Sequence, residues 1–126
     1  MEYQATSKYV RVSTRKMRLV ADSIRKLTPD AALLQLTAMP KVAAVPIAKV
    51  ILSATANAAA KGVKSENLQF KRIEVMGGPV LKRWNAVSRG QAHAFKRRMT
   101  HICVVVTDEN NEVQKVNEKE KPVAKK

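Results

Sequence analysis

The stretch over residues 82–98 does most to limit what this chain can become. It carries Lys82, Arg83, Arg89, Lys96, Arg97 and Arg98 and not one acid. It lies between two strand candidates, residues 68–75 and 102–106, so the connection between them exceeds twenty residues. Compact domains seldom hold a structureless loop of that length, and those that do usually use it. Gly90 near the middle offers a place to turn, and Trp84 and Phe95 sit within the run. These features predict a long β-hairpin over about residues 76–101 that projects from a body. An arm of about ten residues at about 3.3 Å each would reach about 30 Å. Two unit charges about 10 Å apart repel by about 0.4 kcal/mol before screening, so all the pairs together reach a few kcal/mol at low salt. An isolated hairpin is already marginal. The projection is therefore expected to be mobile when free and ordered once phosphates surround it. A solvated charged loop with one aromatic packed on the body would explain the charge, but not the length and the aromatics as well.

The rest of the composition agrees with an anionic partner. The chain has 126 residues and a net charge of +14, which suits one domain and a polyanion. Residues 1–107 hold nineteen Lys or Arg against five Asp or Glu, whereas residues 108–126 hold five of each. The folded domain is expected over residues 1–108. Residues 109–126 have little apolar content and are expected to be a disordered charged tail. Cys103 is the only cysteine, so a disulfide framework and a metal knuckle are not expected, and a reducing cytosol suits the chain. The first residues lack the apolar core of a signal peptide. The apolar stretch within residues 42–60 is broken by Pro46 and Lys49, so a membrane span is not expected.

Periodicity supplies the body. Residues 3–12 suggest an opening strand. Ser13 or Thr14 can cap a helix running to about Lys26 with Met17, Val20, Ala21 and Ile24 on one face. Thr28-Pro29-Asp30 opens a second helix to about Ala38, with a cap, a proline at the first helical position and an acid near the positive end of the dipole. Residues 41–61 form the longest helix candidate, with Ile47, Val50, Ile51, Ala54 and Ala58 on one face and Gly62 as its stop. Pro46 predicts either a kink or a regular helix that starts near residue 43. Over residues 68–75, Leu68 and Phe70 are out of phase with Ile73 and Val75, which points to a bulge or to burial of both faces. The β-branched run Val104-Val105-Val106 favours a strand. The fold class is α+β: three helices on a small, mainly antiparallel three-stranded sheet, with the long hairpin protruding.

Residue types on the projection suit RNA. Arginine binds phosphate with two parallel hydrogen bonds, and lysine supplies a mobile point charge. Trp84, His93 and Phe95 can stack on unpaired bases. Catalytic and metal chemistry have little to build on. His93 and His101 have no Cys, Asp or Glu at ligand spacing, so no metal site is expected. Cys103 reads as a small core hydrophobe. Gly77-Gly78 lacks the lysine of a phosphate loop and reads as a turn. Met17, Met39, Met76 and Met99 read as core fillers. No cofactor or small-molecule substrate is expected, and an enzyme is the least supported class. A DNA-binding helix-turn-helix over residues 29–38 and 42–61 would need its charge on the second helix, not on the hairpin. A membrane-surface peptide would need bulky apolar helix faces, yet the long helix is alanine-rich.

The ordered segments STRKMRLVADSIR, AKVILSATANA and GGPVLKRWNAVSRGQAHAFKRRMTHICVVVTD closely resemble large-subunit ribosomal protein number twenty-two, of bacterial or organellar type. The resemblance covers about residues 5–108. It implies a cytoplasmic protein of the ribosome that binds several domains of the large-subunit rRNA and helps that RNA assemble. The hairpin would line the exit tunnel beside the nascent peptide, near the narrowing shared with ribosomal protein number four, where changes in the family confer macrolide resistance. The implied rRNA-binding residues are Lys8, Arg11, Arg15, Lys16, Arg18 and Arg25 in the body. On the hairpin they are Lys82, Arg83, Trp84, Arg89, Gly90, His93, Lys96, Arg97 and Arg98. The tip, Asn85, Ala86, Val87, Ser88, Arg89, Gly90 and Gln91, would face the tunnel. It departs from the family there. Ala86-Val87 stands where the family usually has proline-arginine, and Gly90-Gln91-Ala92 where it has glycine-arginine-alanine, so this tip is less basic.

Overall fold

In the computed structural model, which describes residues 1–108, two long strands dominate. β2 runs Leu68–Ala86 and β3 runs Ala92–Asp108. Before them come β1 (Glu2–Val10), α1 (Thr14–Ile24), α2 (Pro29–Ala38) and α3 (Ala44–Ala59). The sheet has the order β1-β3-β2, with both pairings antiparallel. The α+β expectation with three helices and a long hairpin is met. The tail expected over residues 109–126 lies outside the described residues.

The central place of β3 follows from its sequence. Ile102, Cys103, Val104, Val105 and Val106 are all buried, and only a strand covered on both faces and paired on both edges can use such a run. Its even-numbered residues join Tyr3, Ala5, Leu68 and Ile73 in one core with the buried faces of the helices. The helical stripes expected on α1 and α3 are the ones buried. Cys103 is buried but lies on the other face of the sheet, outside that core. Gln4 donates from Nε2 to its sulfur at 3.2 Å, and the Arg72–Glu74 ion pair spans its β2 neighbours. Alternation along β3 forces this, because a run of five apolar residues must divide between two faces.

Local chemistry explains the boundaries. Pro46 falls in the first turn of α3, where a missing N–H is an orphan in any case, so the helix starts at Ala44 without a kink. Gly62, at φ +82°, closes α3: Val63 N–H donates to Ala58 and Gly62 N–H to Ala59, the paired bonds of a left-handed helix stop. Ser13 and Thr28 hold the N-cap positions of α1 and α2 with extended backbones, but neither makes the expected side-chain cap bond. β1 ends at Val10, two residues earlier than expected. The phase break in β2 is a bulge, since the register slips between Phe70 and Arg72.

Gly77-Gly78 is not a turn. The chain runs straight through it with a second register slip between Gly77 and Val80. A Cβ on Gly78 would lie 3.1 Å from the backbone C and O of Met99, so glycine lets the two strands approach closely there. Two methionines expected in the core differ in place: Met17 is fully buried, whereas Met76, beside that glycine pair, is exposed.

Candidate nucleic-acid interface

The pairing of β1 with β3 ends at Val10–Thr100, but β2 and β3 continue together from Val80–Arg98 to Ala86–Ala92. The seven residues of each strand there extend about 23 Å at about 3.3 Å each. The finger is thus the outer half of the same two strands that form the sheet. At its tip, Val87 N–H donates to Gln91 O at 2.9 Å, and both Arg89 (φ +58°) and Gly90 (φ +68°) are left-handed. Glycine takes that conformation freely. Arginine pays roughly 1 kcal/mol for it, so the tip holds Arg89 in a constrained backbone.

Alternation gives the finger two faces. One carries Val80, Lys82 and Trp84 opposite Arg98, Lys96 and Ala94. Lys82 and Lys96 are directly opposed, a repulsive cross-strand pair in the free protein. Trp84 is 69% exposed. The other face carries Leu81, Arg83 and Asn85 opposite Arg97, Phe95 and His93. Here the Arg97 guanidinium lies 5.2 Å from the Phe95 ring centre, a cation–π contact that covers part of that ring. Of the three rings proposed for stacking, Trp84 points to one side and His93 and Phe95 to the other, and Trp84 and His93 are exposed while Phe95 is half-buried.

At the base of the finger, body and finger meet. Thr100 is completely buried and donates from Oγ1 to Val12 O at 2.6 Å, with Thr14 Oγ1 at 3.4 Å. This pins the turn from β1 into α1 against β3 where the finger leaves the sheet. On the other face of β3, Tyr9 (φ +60°) donates its N–H to His101 Nδ1 at 3.0 Å, and the two rings meet edge to face. His101 is thus engaged in holding the β1 bulge. The pinning brings Arg11 and Lys16 beside Lys96, Arg97 and Arg98, around a notch of about 440 Å³ that Ser13 and Val42 also line. Cations eighty or more positions apart form one recess.

The remaining candidates are more scattered. All fifteen residues assigned to RNA from the sequence are exposed. Arg18 donates to Val75 O and Arg25 to Ile73 O, at 3.3 and 3.5 Å, so these two close the outer edge of β2 against α1. Arg25 also pairs with Asp22. Glu2 pairs with Lys71 at 2.6 Å, and that hydrogen bond and charge hold its carboxyl below the ordinary range. Lys41 and Val42, beside the notch, escaped the sequence reading. A cation in the short break between α2 and α3 was the available signal. Among the described residues no group of three or more His, Cys, Asp or Glu could hold a metal. No described helix is long and apolar enough to cross a membrane. α2 carries no basic residue and α3 only Lys49, which leaves a helix-turn-helix without a cationic recognition helix.

Comparison with known proteins agrees with the geometry. The family model described as ribosomal protein L22p/L17e matches residues 5–107. Three similar bacterial proteins are each named large ribosomal subunit protein uL22. The one from Desulfotalea psychrophila is 45% identical over 111 residues, 87% of this chain and all of that protein. Those from Desulfatibacillum aliphaticivorans and Mycoplasma capricolum are both 42% identical, over 84% and 86% of this chain and 98% and 99% of their own lengths.

Proposed function

Because the chain belongs to the ribosomal protein L22p/L17e family, whose members are structural parts of the ribosome and not enzymes, we propose how it binds large-subunit rRNA. The body docks through the cationic recess at the finger base. The finger threads between RNA segments and touches several of their domains, so the protein holds them together during assembly. The tip, Asn85–Gln91, reaches the nascent-peptide tunnel near ribosomal protein number four. With Gln91 where an arginine is usual, the tunnel wall there is less positive than in the family at large.

One observation carries this reading: an acid-free finger with six cations and, among the described residues, no third strand beside it. Among the described residues nothing neutralises those charges or buries the outer strands, and RNA does both. Arginine and lysine bind the phosphates, and Trp84 stacks on an unpaired base.

Cross-linking in assembled subunits tests it. Probes on residues 82–98 are expected to join rRNA, and a probe at Val87 or Gln91 to join a stalled nascent peptide. Links only to the protein's own body would overturn the proposal. In solution, affinity for structured large-subunit rRNA should exceed that for duplex DNA at raised salt. If all six finger cations touch phosphate, the log–log salt slope should be about −4.

A further inference from the structure

Next to the cationic recess lies a second one of different character. It has a volume of about 300 Å³ and is lined by Val12, Leu19, Val42 and Ala43, with Lys16 and Lys41 at its rim. Val12, Lys16 and Val42 also line the cationic recess, so the two hollows share a wall. Leu19 is 60% and Val42 81% exposed. Those are costly positions for apolar side chains that cover nothing of their own core. The size is at the lower end of the range for small-ligand sites.

We propose that the paired recesses bind one unpaired nucleotide of the RNA: its base enters the apolar hollow and its phosphates lie on Arg11, Lys96 and Arg98. The inference rests on the RNA-binding reading above and adds a base-reading site in the body, away from the finger's Trp84. Charge and shape select this occupant. A peptide with an apolar side chain would fill the hollow but leave five neighbouring cations without counter-charge. A duplex would satisfy the cations but keep its bases stacked out of reach. A single splayed nucleotide supplies an anionic group and a flat apolar one side by side. Apolar side chains hold extruded bases in this way, and the lysine stems add apolar cover while their ammonium groups stay in water.

The test uses the full chain with carbon-13 labels on its Leu and Val methyl groups. Two probes share a phosphate backbone: a ten-nucleotide oligoadenylate and its abasic counterpart. The oligoadenylate is expected to produce ring-current shifts at the methyls of Leu19 and Val42, and the abasic strand none. It should also bind about tenfold more tightly than the abasic strand. The Leu19→Ser, Val42→Ser double variant should lose a large part of that preference while keeping its salt dependence, and Trp84→Ala should leave the two methyl shifts in place. Both substituted positions are exposed, so the variant is expected to fold, with an unchanged amide spectrum as the check. Binding of both strands without methyl shifts would sink this inference and leave the RNA-binding reading standing. Failure of both strands to bind would also sink this inference, while binding of structured large-subunit rRNA decides the RNA-binding reading separately.

Discussion

From Leu68 to Gly77, strand β2 has α1 against it and lies in a sheet whose central strand is paired on both edges. From Val80 to Ala86 the same strand pairs, among the described residues, with β3 alone. Pairing of β2 with β3 resumes beyond the register slip between Gly77 and Val80, yet the side chains of the two halves differ completely. In the inner half, Ile73 and Leu68 are buried with Val104 and Val106. In the outer half Leu81 and Phe95 are only half-buried and every other side chain is exposed. Backbone pairing is thus shared by both halves, while burial belongs to one. Since net stability comes mainly from burial, the body should fold alone, and the finger should depend on whatever surrounds it.

The largest break in this comparison is a cavity in the body. Ile51→Ala should cost about 2–5 kcal/mol in urea denaturation, because Ile51 is fully buried at the heart of the core. Trp84→Ala on the finger should change the same measurement by less than about 0.5 kcal/mol. Equal effects at the two sites would show that the halves are not energetically distinct.

Charge reversal at Arg97 and Arg98 should do the opposite. The double Glu variant should bind rRNA at least about tenfold more weakly, since each lost charged hydrogen bond is worth about 1.5–3 kcal/mol. Its salt slope should shrink by about 1.4 if each side chain holds one phosphate. Urea denaturation of the body should stay where it was. Loss of folding without loss of affinity in the folded fraction would contradict the division.

Thr100→Val tests the pin between the halves. It leaves the Val12 carbonyl without its 2.6 Å partner, and should cost about 1–3 kcal/mol. RNA affinity should fall as well, because Arg11 and Lys16 are no longer held beside Lys96, Arg97 and Arg98. Cys103→Ala should cost about 1 kcal/mol and leave RNA binding alone, since its sulfur faces Gln4 on the side of the sheet away from the notch. The smallest effect is a pH one. The Glu2–Lys71 pair lowers the folded-state pKa of Glu2 below its ordinary 4.5. Its contribution is complete above that value and fades as pH falls through the lower folded one. Glu2→Gln should therefore slightly reduce the difference between denaturation midpoints at neutral and at acidic pH.

Much of this was legible in the chain itself. The buried faces of α1 and α3 followed from spacing, because a helix repeats every 3.6 residues and the apolar stripe must face a core. The bulge in β2 followed from a phase break, because strand faces alternate strictly. Gly77-Gly78 misled for a physical reason: paired glycines permit a turn and a close strand approach equally well, and only the position of Met99 separates the two. Ser13 and Thr28 misled in a milder way, since capping residue types fill the cap positions without making the bond. For the proposed binding surface, charge alone grouped Lys82 to Arg98. It could not tell that Arg18 and Arg25 reach the edge of β2, or that Trp84 and Phe95 part to opposite faces.

Local pattern by itself determined which segments become helix or strand, which of their sides go inward, and that an acid-free cationic run must leave the body. Those are consequences of periodicity and of like charges repelling, and both act along the chain. Only the tertiary structure decided that Arg11 and Lys16 stand beside Lys96, Arg97 and Arg98, and that an apolar hollow adjoins them. Their meeting depends on the register between Val10 and Thr100 and on one buried hydroxyl, contacts between residues about ninety positions apart that no local pattern encodes.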